Sequence, residues 1–163
     1  MDAIKLIKQQ HQELRELFEK FESSGRGARK SQGTLFVRIA DRIAAHASME
    51  EQLLYPRLYE ESSDERLREA VEEHLVVKRL LADLLDMEPS DEQFRAKMKV
   101  LQESFFRHVK EEERSLLPEA KKLFPREELA AMGEKMEQLF SELLQSEPRR
   151  ELPNETREAA SLT

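Results

Sequence analysis

The sequence predicts an all-α protein, an up-down-up-down four-helix bundle followed by a short fifth C-terminal helix. Three observations carry this. Apolar residues recur at every third or fourth position through most of the chain, the period of one helix face. Apolar–polar alternation, the mark of a half-buried strand, runs nowhere over a useful length. Only four Gly and six Pro occur in 163 residues, which leaves long stretches without a helix breaker.

The first helix runs from about Asp2, an N-cap residue type, to about Glu22, with Ile4, Ile7, Leu14, Leu17, Phe18 and Phe21 inward. The Gly/Ser-rich segment SSGRGARKSQG then breaks the period, and its basic stretch at residues 26–30 reads as a solvated loop. A second helix is expected over about residues 33–60, with Leu35, Phe36, Ile39, Ile43, Leu53 and Leu54 inward. Pro56 should kink it or end its regular part. Ser62, Ser63 and Asp64 turn the chain into a third helix reaching about Met87. After Pro89, Ser90 or Asp91 caps a fourth, which carries Phe94, Met98, Leu101, Phe105 and Leu116 to about Phe124 and is interrupted near Pro118. Pro125 opens the fifth, with Leu129, Met132, Met136, Leu139, Phe140 and Leu143 on one side. From about Ser146 the chain is polar and contains two prolines. The expected organisation is one helical domain over residues 1–145 and a disordered tail over 146–163 that buries nothing.

Composition narrows the function. With 37% charged and 39% hydrophobic residues the chain fits a soluble helical protein. A net charge of -7 speaks against nucleic acid as a partner, because phosphate-binding surfaces are basic. There is no Cys, so thiolate metal sites, disulfides and thiol chemistry are excluded. The start, MDAIKLIKQQ, lacks the apolar run of a signal peptide, and no stretch approaches the roughly 18 apolar residues of a membrane span. The expectation is a cytoplasmic protein.

Two segments repeat. HASMEEQLLYP begins at His46 and HVKEEERSLLP at His108, 62 residues later, sharing His, both glutamates, one Leu and the Pro in strict register. Upstream, His11 with Leu14 and Leu17 answers His74 with Val77 and Leu80, 63 residues on. The chain reads as a duplicated helical hairpin, each half with one His on its first helix and His-x3-Glu on its second. Residues at i and i+4 share a helix face, so His46 with Glu50, and His108 with Glu112, can each reach one metal. All four histidines lie near mid-helix, so antiparallel packing brings them to one height. The second and fourth helices run in the same direction, which sets Glu50 and Glu112 at a common level where they could bridge two metals. A single His-x3-Glu is almost worthless as a signal in so glutamate-rich a chain. Six such groups facing one core are different, because burying two carboxylates and four imidazoles without strong partners costs several kcal/mol each. Nitrogen with carboxylate oxygen suits iron or manganese, with zinc also allowed.

The order His, His-x3-Glu, His, His-x3-Glu on four helices resembles the hemerythrin-like HHE cation-binding domain, and LFPREELAAMGEKM resembles the fifth-helix segment of that family. The resemblance covers about residues 1–145. It implies a non-haem di-iron centre in which His11 and His46 bind one iron and His74 and His108 the other, with Glu50 and Glu112 bridging. Oxygen-carrying hemerythrins have a further His four residues after the third-helix one, where this chain has Lys78. They also carry an Asp one position further along the fourth helix, where Glu113 stands here. The resemblance thus implies a more open centre, suited to reaction with, or sensing of, peroxide, oxygen or nitric oxide rather than stable oxygen carriage. Catalase- or peroxidase-like turnover falls within that range.

Lys78, and Arg15 four residues after His11, should sit one turn from the histidine layer. Lys78 is a candidate to stabilise a bound peroxide or other anion, against the commoner role of pairing with surface acids. Glu51 and Glu113 read as solvated flank. Tyr55, nine residues after His46, falls half a turn away and is expected to stay outside the site. Two competing functions remain: iron storage, delivery or repair, and a metal-free helical interaction module.

Overall fold

The computed structural model describes residues 1–25 and 27–162. Every regular element among them is helical. Helix α1 spans Ala3–Ser23, and Asp2 caps it by accepting from the Lys5 N–H at 2.9 Å. Helix α2 (Arg29–Met49) begins before the expected start because the buried Gln32 side chain ties the loop down, donating to the Gly25 carbonyl at 3.1 Å. Arg29 and Lys30 therefore belong to a helix rather than a loop, and Arg26 lies outside the described residues.

Pro56 does not end the second long helix. A π-helical turn, Glu50–Leu54, leads into α3 (Tyr55–Ser62). The Tyr55 N–H bonds five residues back to the Glu50 carbonyl. Pro56 has no N–H to continue an α-helical ladder and its ring would strike the carbonyl four residues before it, and the wider turn relieves both problems. The second half of the chain solves the problem in the same way. Helix α4 (Glu65–Leu85), capped by Asp64, and α5 (Glu92–Glu111), capped by Asp91, lead into a second π turn, Glu112–Leu116. There the Leu117 N–H returns to Glu112, and α6 (Leu117–Leu123) carries Pro118 in its first turn. Both π turns begin on the Glu of His-x3-Glu.

The four long helices pair as α1 with α2 and α4 with α5. Their core is split in two. One apolar cluster contains Phe18, Ile39, Phe94 and Leu101; the other contains Ile7, Leu54, Leu67 and Met136. Between them lies a layer of buried polar side chains. Helix α7 (Arg126–Gln145) packs across α1 and α2. It approaches the start of α1 so closely that a Cβ built on Gly133 would lie 2.2 Å from the Met1 carbonyl oxygen. Gly133→Ala is expected to push α7 off the bundle, costing about 1–3 kcal/mol in urea unfolding despite the better helix propensity of Ala.

The polar C-terminal segment is not the disordered tail the composition suggested. A 3-10 turn (Pro148–Glu151) and a short helix, α8 (Leu152–Glu155), dock back onto the bundle. Pro148 is buried and Leu152 is fully buried in the first core cluster. Arg149 anchors the segment, its backbone N–H and Nη1 donating to Asp41 at 3.1 and 2.8 Å. Composition missed this because two buried apolar side chains and one ion pair suffice to dock a short segment. Among the described residues no helix is long and apolar enough to cross a membrane.

Candidate metal centre

The polar layer consists of His11, His46, Glu50, His74, His108 and Glu112, each at most 2% exposed. Their donor atoms form two overlapping groups: His11, His46, Glu50 and Glu112 on one side, Glu50, His74, His108 and Glu112 on the other. Within each group the donors lie within 4.8 Å of one another. The two carboxylates belong to both. Glu50 Oε1 lies 3.3 Å from His46 Nε2 and 3.2 Å from His74 Nε2. Glu112 presents Oε1 to His11 Nε2 at 3.2 Å and Oε2 to His108 Nε2 at 3.6 Å.

Every imidazole is anchored from behind through Nδ1. His11 donates to Glu113 at 2.9 Å, His46 to the Gln10 side-chain carbonyl at 2.7 Å, His74 to Glu51 at 2.8 Å and His108 to Glu73 at 2.9 Å. These acceptors orient the rings and turn each Nε2 to the centre. The arrangement keeps the twofold character of the repeat: Gln10 and Glu73 each precede a layer His, while Glu51 and Glu113 each follow a layer Glu. Glu51 and Glu113 are therefore not solvated flank. The duplicated Glu-Glu was the signal for them, since only one of two adjacent helical residues can face the centre.

Lys78 is buried and reaches Glu51 at 3.0 Å, bracing the acceptor of His74. Arg15 instead stacks over the Phe106 ring at 4.5 Å. Glu155 of α8 lies in the field of Lys78 and Glu51, and burial raises its pKa. The docked tail thus lies beside this edge of the centre.

Tyr55 overturns the expectation made for it. Its hydroxyl donates to Glu112 Oε2 and lies 3.2 Å from Glu50 Oε1, 3.4 Å from His74 Nε2 and 3.3 Å from His108 Nε2. Counting nine residues at 3.6 per turn placed it on the far face. The π turn takes in one extra residue and rotates the rest of the helix back by roughly 100°, which brings the ring inward. The position equivalent to Tyr55 in the second half is Leu117, so the hydroxyl stands beside His74 and His108 and the other histidine pair has no matching one from Leu117.

The layer fits cations better than protons. The Nε2 atoms of His11 and His46 face each other at 3.2 Å and those of His74 and His108 at 3.0 Å, four ring nitrogens crowded onto one centre. Glu50 Oε2 and Glu112 Oε1 are buried and accept no hydrogen bond among the described residues. A pair of metal ions would satisfy all of these at once.

A family model described as the hemerythrin HHE cation-binding domain matches residues 2–120. This chain belongs to the hemerythrin HHE cation-binding domain family. The HHE protein also shares its fold with the crystal structure of an HHE cation-binding domain-containing protein from Mycobacterium kansasii. That pair is 23% identical, with a TM-score of 0.80 over 90% of this chain and 89% of the other. A DNA nickase from a Nostoc species is 28% identical over 116 residues, 71% of this chain but 32% of the relative. The HHE chain therefore spans about a third of the length of that curated relative.

Charge in the HHE layer is distributed unevenly. Burial, with the charge of His11 adding to it, lowers the pKa of His46 to about 3. Burial also opposes a charged His108, but the hydrogen bonds it donates to Glu112 and Glu73 outweigh it and push His108 up to about 10. Burial and the neighbouring Glu112 raise the pKa of Glu50. In the metal-free protein a proton is thus held between His108 and Glu112 at neutral pH. A metal must displace it, so affinity falls as pH falls below about 10. Competition titrations should show about a tenfold loss per pH unit for each proton displaced. A flat profile from about pH 6 to 9, a range centred near neutrality, would refute that ionisation.

Proposed function

We propose that the layer holds two iron ions bridged by Glu50 and Glu112, with His11 and His46 serving one and His74 and His108 the other. Manganese or zinc could use the same donors. In this reading the protein binds or reacts with small oxygen or nitrogen species, as a sensor or as a peroxide-consuming protein. The observation that carries it is the pair of four-donor groups sharing two buried carboxylates, each with an oxygen that accepts no hydrogen bond among the described residues. Membership of a cation-binding family supports it.

Iron bound there would supply redox and Lewis-acid chemistry for oxygen, peroxide or nitric oxide. The chain supplies the setting. The four Nδ1 anchors hold the imidazoles rigid, and the two apolar clusters keep bulk water out. Phe105 flanks His11 and His46 with edge contacts, which gives their side an apolar wall. Tyr55 holds a proton at Glu112 Oε2, where it can be given to a bound anion. Lys78 acts through Glu51 on His74 rather than by touching the centre.

The test is elemental analysis after anaerobic ferrous reconstitution, followed by peroxide and azide assays of the parent and Tyr55→Phe. Two irons per chain and peroxide turnover or azide binding are expected. The variant should keep both irons and lower turnover by about a hundredfold, the scale of one lost proton donor, or weaken azide binding by about tenfold, the scale of one lost hydrogen bond. A well-folded protein that takes up no iron would end this reading.

A further inference from the structure

The two halves match at the centre but differ outside it. Helix α7 packs across α1 and α2, where Gln10 meets His46. The equivalent seam of the second half lies between α4 and α5, where Glu73 meets His108. Among the described residues, none of α7 or of the C-terminal segment lines it. A pocket of about 40 Å³ opens there, with the buried His108 and Glu112 at its inner end. Glu112 Oε2 lies on the His108 side at 3.6 Å, and Glu112 Oε1, one of two buried oxygens that accept no hydrogen bond among the described residues, reaches on to His11.

The residue type at the matching position follows the covering. Gln10, on the α7 side, is 4% exposed and carries no charge. Glu73, on the open side, has a side chain 38% exposed. Both accept from a histidine Nδ1, a task Gln performs as well as Glu. The charge at Glu73 is therefore not needed to anchor His108. Beside it stand Glu69 and Glu111, both exposed. Of the cations beside it, Arg66 is turned to Asp64 and Glu119, and Arg114 pairs with one oxygen of Glu111 at 2.9 Å, leaving Glu69 and the other Glu111 oxygen facing the opening. Glu73 holds His108 through Oε1, and among the described residues its Oε2 takes part in no hydrogen bond or ion pair.

The geometry points to the α4–α5 seam as the port through which a divalent cation enters the centre. Glu69 and Glu111 gather the hydrated ion. Glu73 Oε2 replaces part of its water, and Glu112 and His108 receive it. This rests on the layer being a metal centre. An acid-lined cleft raises the local cation concentration and the entry rate, and salt screens that effect.

The test is stopped-flow loading of metal-free protein with cobalt(II), read from its visible absorption. The port variant is Glu69→Gln with Glu111→Gln. The control, Glu134→Gln with Glu137→Gln on the exposed face of α7, makes the same change in net charge. The port variant should load about three- to tenfold more slowly at low salt, reach the parent's end point, and lose the difference at about 1 M salt. The control should load like the parent. A port variant as fast as the parent, or a control slowed equally, overturns the port and leaves the centre standing. A parent that binds no cobalt at any time overturns both.

Discussion

Glu112→Gln is expected to remove both of the proposed metal ions, whereas His74→Ala should leave about one per chain. Each histidine belongs to one donor group, but Glu112 belongs to both and spans them with its two oxygens. Gln keeps the volume, so no cavity forms; it loses the charge and offers one acceptor oxygen in place of two. The stability consequence is large. A metal held at a thousand times its dissociation constant adds about 4 kcal/mol to a fold that binds it only when native. With roughly 2–4 °C of melting temperature per kcal/mol in a domain of this size, losing two ions should lower the melting point by roughly 15 °C or more. Elemental analysis and calorimetry with and without chelator check both parts. Two metals retained by Glu112→Gln would rule out bridging.

Leu152→Ala should destabilise the protein by about 2–5 kcal/mol, the usual cost of deleting a fully buried leucine. That corresponds to a melting point lower by roughly 5–15 °C. The effect is large for a residue so near the end of a polar segment, and it separates a docked segment from a free one. Leu152 lies in the core cluster that holds Phe18, Phe94 and Leu101, and the Arg149–Asp41 pair sets it there. Hydrogen exchange gives an independent readout. The Thr156 N–H, bonded to the Leu152 carbonyl at 3.0 Å, should exchange slowly in the parent and fast in the variant. An unchanged melting point would mean that residues 148–155 contribute nothing to the fold.

Much of this protein is written locally. A 3.6-residue apolar period and three aspartate caps, at Asp2, Asp64 and Asp91, place the starts of α1, α4 and α5. The i, i+4 geometry of a helix then puts His46 beside Glu50 and His108 beside Glu112 with no knowledge of the fold. Duplication adds the level at which the six side chains meet, and the structure does bring them together.

Only tertiary structure decided the rest. Tyr55 enters the layer because two prolines force π turns, and a one-residue change in winding moves a side chain from one face to another. Gln10 and Glu73 become histidine anchors because neighbouring helices pack at a particular rotation, and no spacing within one helix encodes that. The C-terminal segment docks through Pro148, Leu152 and the Arg149–Asp41 pair, too little for any composition rule to register. Which seam stays open depends on where α7 crosses, and a close approach at Gly133 fixes that crossing. Helices and their i, i+4 His–Glu pairs are short-range, and sequence periodicity reports them. Anchors, coverings and openings are contacts between residues far apart in the chain, and they exist only once the bundle has packed.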